Sequence, residues 1–230
     1  MELEGQDIAY RYPNAAADLF EGLDFRIRGP GFHALFGPSG VGKSTLARLL
    51  SGSLAGQRGR LNARGMHRVL YTYNLERLPG WTTLREHFEE TASASGRPRL
   101  ETLLDTFDIR PLADARFPRL SLGQQNRANL VRYLLQEFDL LIMDESLANV
   151  DEATRHRILL RIKALFPERC FLYISHNVAE VARFCGDVLV LRGHPKRPPL
   201  VVVPGGDQRE GAEPDPARLE RAMLAIVHAA

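Results

Sequence analysis

The chain has 230 residues, 44% of them hydrophobic, with a net charge of +2 and two cysteines. That length suits one domain, or one domain with a small insertion, and the apolar share is enough for a packed core. The near-neutral charge argues neither for nor against nucleic acid; acidic residues at Met1–Asp7 exclude a secretory signal, and no run of about 18 apolar residues exists to span a membrane.

Taken in order, the chain opens with two strand-like pieces, Ile8 to Tyr12 and Leu23 to Arg28, separated by the turn-prone Pro13-Asn14. They read as an antiparallel hairpin. Tyr12 stands at a strand end, where its ring is either an ordinary strand aromatic or a platform for a nucleobase. Phe32 to Phe36 is a short apolar run with the length of a buried strand, and Leu46 to Leu50 has helical spacing.

Between those two runs lie Gly37, Pro38, Ser39, Gly40, Val41, Gly42, Lys43, Ser44 and Thr45, which fill every fixed position of the phosphate-loop pattern G-x-x-x-x-G-K-[ST]. The glycines let the backbone bend so that successive N–H groups point at one spot, and the following helix adds the positive end of its dipole. Lys43 brings an ammonium to the terminal phosphates, and Ser44 offers a hydroxyl to Mg²⁺. The pattern predicts a triphosphate cradle.

Val69 to Tyr73 is a further strand, rich in aromatic and β-branched residues, ending at Asn74. Leu75 to Trp81 is loop. Thr82 to about Thr106 is helical, broken at Ser95–Pro98 into two helices, and has no strand of its own, which marks a small helical insertion on an α/β core. Leu120 to Gln125 opens another helix, with Ser121 as its N-cap.

Asp139 to Glu145 places four apolar residues ahead of two carboxylates, the pattern of a strand buried on both faces of a parallel sheet. Ligands of such sheets gather at the carboxyl ends of strands, so Asp144 falls where the metal of the phosphate loop belongs and Glu145 within reach of a water. A helix from about Asp151 to Phe166, a strand Cys170 to Ser175, a helix Val178 to Phe184 and a strand Asp187 to Leu191 complete the alternation of a parallel sheet. His176 directly follows a strand and shares that rim. Cys170 and Cys185 lie in different elements without C-x-x-C spacing, as expected in a reducing, cytosolic setting. Beyond Pro204, Gly205 to Gly211 reads as a linker, and Pro216 to His228 as a helix with Leu219, Met223, Ile226 and Val227 on one face. The domain organisation expected is residues 1–204 as one domain, with the helical part at about 75–136, followed by linker and helix.

From Tyr12 to about Val203 the chain resembles the nucleotide-binding subunits of ATP-binding-cassette (ABC) transporters. The resemblance implies a mixed, largely parallel sheet with flanking helices, an antiparallel β subdomain and a small α-helical subdomain. Tyr12 matches the adenine-stacking aromatic, Gly37 to Thr45 the Walker A loop, and Asn74 the position of a glutamine that touches the metal and the membrane partner. Leu120 to Gln124 resembles the signature motif, usually L-S-G-G-Q; Leu140 to Asp144 is similar to the Walker B strand. Glu145 matches the catalytic glutamate, Asp151 the D-loop aspartate and His176 the switch histidine.

The same resemblance implies a head-to-tail homodimer with ATP and Mg²⁺ between the phosphate loop of one copy and Ser121, Gly123 and Gln124 of the other. Ser44, Asp144 and Asn74 would hold the metal, and Lys43, Glu145 and His176 would act in hydrolysis. The implied partners are transmembrane permease subunits and a solute-binding protein, not nucleic acid, at the cytoplasmic face of the membrane. Leu78 to Trp81 and Leu191 to Leu200 look similar to segments of importers for nitrate, sulfonates and taurine. A soluble ATP-driven switch is the alternative, and it usually carries two cassettes, coiled coils or basic arms.

Three residues depart from the family pattern. Leu122 replaces the first signature glycine, and a positive φ there would cost on the order of 1 kcal/mol or more. Asn74 is one methylene shorter than glutamine. Ser146 stands where proline is common, which is expected to loosen the turn after Glu145.

Overall fold

The computed structural model describes residues 1–193, 195–213 and 215–230. His194, within the Leu191–Leu200 stretch, and Pro214, within the linker, lie outside the described residues.

Strands β1 (Glu2–Tyr10) and β2 (Phe20–Arg28) form the expected antiparallel hairpin. Strand β3 (Gly31–Phe36) leads into the phosphate loop, helix α1 (Lys43–Leu50) leaves it, and β4 (Arg58–Arg64) returns to pair with β1. β1 begins well before the expected Ile8 because its acidic residues are its solvent face. Leu3 points inward while Glu2 and Glu4 pair outward with Arg28 and Arg26 on β2. Tyr12 lies beyond the strand, whose last residue is Tyr10. The sequence does not announce β4, since nearly all its residues are exposed and only one edge is paired.

Next come β5 (Val69–Tyr73), α2 (Leu84–Thr91), α3 (Leu100–Thr106) and α4 (Leu122–Leu134). The break at Ser95–Pro98 falls between α2 and α3, and a single bridge, Thr83 to Arg116, is the one strand-like pairing there among the described residues. The remainder is β6 (Leu140–Asp144), α5 (Glu152–Leu165), β7 (Cys170–Ile174), α6 (Val178–Phe184), β8 (Asp187–Leu191), β9 (Leu200–Pro204) and α7 (Pro216–Ala229). Among the described residues no helix is long and apolar enough to cross a membrane.

The central sheet has the order β5-β6-β7-β3-β8-β9; its first five strands are parallel and β9 runs antiparallel to β8. Register decides what the sheet presents. Tyr73 pairs with Asp144, Asp144 with Ile174, and Leu35 with Ile174, so the four strands end level. The residues that follow, Asn74, Glu145, Ser175 and Phe36-Gly37, therefore emerge on one rim, as the carboxyl ends of an open parallel sheet require.

Alternation along the strands splits the core into two layers. Leu140, Ile142, Leu172 and Leu35 face α1 and the three-stranded sheet, packing with Leu46, Leu49, Leu23 and Ile27. Leu141, Met143, Phe171 and Val190 face the other helices, together with Phe88, Leu103, Phe107 and Leu134. Each fully buried aliphatic or aromatic side chain contributes about 1.5–3 kcal/mol relative to exposure. Phe32 stacks on Phe171, 4.5 Å between ring centres, because β3 and β7 pair them side by side. Helix α7 returns to this second layer through Ala222 and Ile226. Val227 does not join them and is 56% exposed, because one residue along a helix is a turn of about 100° away from the buried stripe.

Strand β3 carries a buried ionisable residue. His33, on β3, is 5% exposed, and neither ring nitrogen makes a hydrogen bond. Burial lowers its pKa below the usual 6.5, opposed chiefly by Asp187, whose carboxylate lies 3.5 Å from Nδ1. Below pH 6.5 the unfolded chain therefore binds the proton more readily than the folded one, and stability falls as pH drops through that window. Urea unfolding at about pH 7.5 and about pH 5.5 checks this: wild type loses more stability than His33→Leu, and equal losses would contradict it.

Candidate nucleotide site

At the end of β3 the chain turns through Gly37, Pro38, Ser39, Gly40, Val41 and Gly42 into α1. Gly37, Gly40 and Gly42 have φ of 152°, 77° and 106°, outside the range that side-chain-bearing residues favour. At Gly37 space adds a second requirement, since a Cβ there would stand 2.3 Å from the Leu191 carbonyl oxygen at the end of β8. Helix α1 has no side-chain cap and no acidic residue in its first turn, so its first N–H groups are open to an anion. The Lys43 ammonium donates to the carbonyls of Gly37 and Pro38, 2.8 Å each. Burial pulls its pKa below the usual lysine value, while Glu145 and Asp144 hold it up. One cation and two carboxylates thus converge on this loop.

Ser44 is exposed at the start of α1, and Thr45 shares a 2.8 Å hydrogen bond with the Tyr12 hydroxyl. Tyr12 also packs edge-on against Tyr10, 5.0 Å between ring centres, which fixes its ring beside the loop.

On the neighbouring strand Asp144 is buried, and one of its oxygens accepts the Tyr71 hydroxyl at 2.9 Å. Burial first, and then the Asp144 charge, push the Tyr71 pKa well up, so it stays a donor. Glu145 has φ 50°, and its N–H donates to the Ile174 carbonyl at 3.1 Å, extending the ladder one residue while turning the side chain out of the strand. His176 Nε2 lies 2.6 Å from Glu145 Oε1, with both groups open to solvent.

The expected loosening at Ser146 is absent. Ser146 is buried and its hydroxyl donates to the Thr72 carbonyl at 3.2 Å, so a side-chain bond pins the turn where a proline ring would stiffen it.

Asn74 N–H donates to the Asp144 carbonyl at 3.1 Å, and its amide oxygen accepts from Asn126 Nδ2 on α4 at 3.0 Å. Helix α4 opens on a capping box: Gln124 N–H donates to Ser121 Oγ at 3.3 Å, and Ser121 N–H to Gln124 Oε1 at 2.8 Å. Leu122 needs no positive φ. Ser121 has already brought the chain to the helix with φ −65°, so Leu122 is an ordinary first helical residue whose side chain is 52% exposed. Gly123 is the constrained position. A Cβ there would lie 2.4 Å from the Asn149 carbonyl oxygen, on the loop that leads to Asp151. Asp151 itself caps α5, accepting from Thr154 N–H at 2.9 Å, and that bond holds its carboxyl below the usual range.

The parallel registers gather the Gly37–Thr45 loop, Asn74, Asp144, Glu145 and His176 on one rim, with Tyr12 joined to it through Thr45. Among the described residues no hydrogen bond joins Ser121, Gly123, Gln124 or Asp151 to the loop. Sequence reasoning passed over Tyr71 and Asn126, and it misjudged Ser146. For Tyr71 the signal existed in principle, as it alternates with Tyr73 on β5, but which face met Asp144 depended on pairing with β6.

A phosphate loop between a strand and a helix, with Asp144 at the end of another parallel strand and Glu145 just beyond it, defines a phosphate-loop nucleoside triphosphatase. Residues 20–148 match the ABC transporter family. The chain is 31% identical to the nickel import ATP-binding protein NikE of Pseudomonas putida, covering 76% of this chain and 74% of that protein. It is 32% identical to the molybdenum import ATP-binding protein ModC of Mesorhizobium japonicum, covering 69% of this chain, and 30% identical to the spermidine/putrescine import ATP-binding protein PotA of Frankia alni, covering 84%. Of those two relatives it spans less than half, 48% and 45%. Two solved structures share its fold at 22% identity: an ATP-binding subunit of an ABC transporter, TM-score 0.77, over 99% of this chain and 100% of that one, and a bacterial Atm1-family ABC exporter with ATP bound, TM-score 0.73, over 84% and 38%. The chain belongs to the ABC transporter family, in which it is an ATP-binding, ATP-hydrolysing subunit.

The crowding at Gly123 has a measurable consequence. Gly123→Ala forces a backbone displacement of the Asn149 loop and lowers the unfolding free energy by about 1–3 kcal/mol. Urea unfolding reads it, and an unchanged midpoint would contradict the close approach.

Proposed function

We propose that the chain is the energy-coupling ATPase of a membrane importer, working as a head-to-tail pair at the cytoplasmic face of the membrane. The observation that carries the hydrolytic part is the 2.6 Å contact of Glu145 with His176, on the rim that also holds Lys43 and Asp144.

In this reading the triphosphate displaces the Gly37 and Pro38 carbonyls from Lys43, whose ammonium then neutralises charge growing on the terminal phosphate. The loop N–H groups and the uncapped start of α1 hold the other phosphate oxygens. Tyr12, anchored through Thr45, offers its ring to the adenine. Glu145 orients the attacking water and accepts hydrogen bonding from it, while His176, held by Glu145, reaches the γ-phosphate. Mg²⁺ fits the donors present, since the Ser44 hydroxyl and the Asp144 carboxylate are hard oxygens and this ion takes few protein ligands beside phosphate. When bound, the ion would supply positive charge against the phosphate oxygens. Asn74 Oδ1 accepts from Asn126 and keeps a second lone pair for that shell.

Ser121, Gly123 and Gln124 are assigned to the nucleotide of a second copy, with Asp151 beside them. The capping box leaves the start of α4 outward-facing, and Leu122 adds an apolar side chain to that contact. The nickel, molybdenum and spermidine/putrescine relatives are import ATP-binding proteins, which supports that direction of transport. The permease is assigned to the loop after β5, in which Trp81 is 76% exposed and Leu75 58% exposed. A solute-binding protein would complete the system.

Two measurements test this. Glu145→Gln lowers kcat about 10²- to 10⁴-fold while ATP affinity is retained, and wild-type turnover in that variant would remove Glu145 from the reaction. Affinity purification from detergent-solubilised membranes yields a polytopic subunit that is lost on Trp81→Asp; recovery of the chain in the soluble fraction alone would instead favour an ATP-driven switch uncoupled from transport.

A further inference from the structure

One polar cluster is buried beside the site, and the mechanism above does not use it. Glu180, on α6, is 1% exposed. Its carboxylate accepts from the Nε of Arg155 on α5, from the Tyr173 hydroxyl at 2.9 Å and from the Ser175 hydroxyl at 3.3 Å. Arg155 sends a second N–H, from Nη1, to the Val150 carbonyl at 2.8 Å. Val150 immediately precedes Asp151, and Ser175 immediately precedes His176. A single ion pair therefore ties together two loops that are distant in sequence. The second loop is also held from its far side, as Asn177 N–H donates to Ser175 Oγ at 3.1 Å and Asn177 Oδ1 accepts from Glu180 N–H at 3.2 Å.

Stability alone does not explain this arrangement. Removing a carboxylate and a guanidinium from water costs several kcal/mol, and an apolar pair of equal volume is often as stable or more so. Burial and the nearby Glu180 charge push the Tyr173 pKa well up, so its hydroxyl remains a donor and both carboxylate oxygens are satisfied. What an apolar pair cannot do is hold the Val150 carbonyl and the Ser175 hydroxyl at once. The cluster also adjoins the reacting groups, because Arg155, Glu180, Tyr173, Glu145 and His176 line one cavity of about 200 Å³.

We propose that Arg155 and Glu180 are positioning residues for ATP hydrolysis: their ion pair fixes the Val150–Asp151 and Ser175–His176 segments relative to each other, and so keeps His176 on Glu145. The inference rests on the assignment of Glu145 and His176 to the hydrolytic step. A planar guanidinium is required, because it serves two acceptors in fixed directions where a lysine ammonium supplies a single mobile point charge.

Three variants test it in steady-state ATPase assays with nucleotide-binding and melting measurements alongside. Arg155→Lys and Glu180→Gln lower kcat about tenfold or more, while KM and ATP affinity stay within about twofold, since displacing a catalytic group slows chemistry without removing ground-state contacts. The double variant Arg155→Met with Glu180→Leu removes both charges together and leaves neither unpaired; it stays folded yet keeps the low kcat. Wild-type kcat in that double variant, or in a folded Arg155→Lys, would overturn the proposal by reducing the pair to packing. Glu145→Gln run in parallel separates the two levels, because wild-type turnover there overturns the site assignment itself.

Discussion

Parallel pairing of β5, β6, β7 and β3 in one register is the constraint on which the site depends. Each strand ends level with its neighbour, so the first residue past each end is forced out of the ladder at the same edge. A slip of one residue in β6 would exchange Asp144 for Met143 at the rim and turn its side chain to the opposite face. The buried apolar runs on both faces of β6 and β7 prevent that slip, because each face has its own layer of partners. Packing and the strand ladder together set where the two carboxylates leave the sheet.

On that frame the polar groups are arranged by what burial allows. Lys43 is buried among its own loop carbonyls and drawn by two carboxylates, so its charge is kept in place but weakly committed. Such a cation is readily claimed by a phosphate, which offers stronger charge-assisted bonds than a carbonyl. Asp144 has less freedom, with Tyr71 on one oxygen, and the turn after it is held by Ser146 to β5. The two carboxylates are adjacent in sequence yet differ in environment, Asp144 buried and Glu145 open to solvent. Different environments let neighbouring carboxylates take different roles.

Helix α4 and the loop before α5 are joined by close approach at Gly123 and by a hydrogen bond from Asn126 Nδ2 to the Ala148 carbonyl. Gly123 lets the Asn149 carbonyl come within a distance that excludes any Cβ, and the capping box then presents Ser121 outward. The bulky Leu122 is accommodated because the strain expected at that position depended on a backbone conformation that the helix start does not require. Side-chain volume there alters only what a second molecule meets.

By itself, the sequence determined the phosphate loop, the order of strands and helices around it, the cap at Ser121 and the carboxylate pair at a strand end. These are local properties: glycine torsions, helical spacing, and an apolar run closed by charge. Strand β4, the inward face of α7, the partner of Ser146 and the tie between Arg155 and Glu180 were decided by the tertiary structure. None of these carries a local signature. An edge strand of exposed residues has no periodic pattern, and a serine in place of proline reads as a loss until a carbonyl from another strand is brought to its hydroxyl. The pairing of strands distant in sequence supplies such partners, and residue order alone does not state which groups will meet.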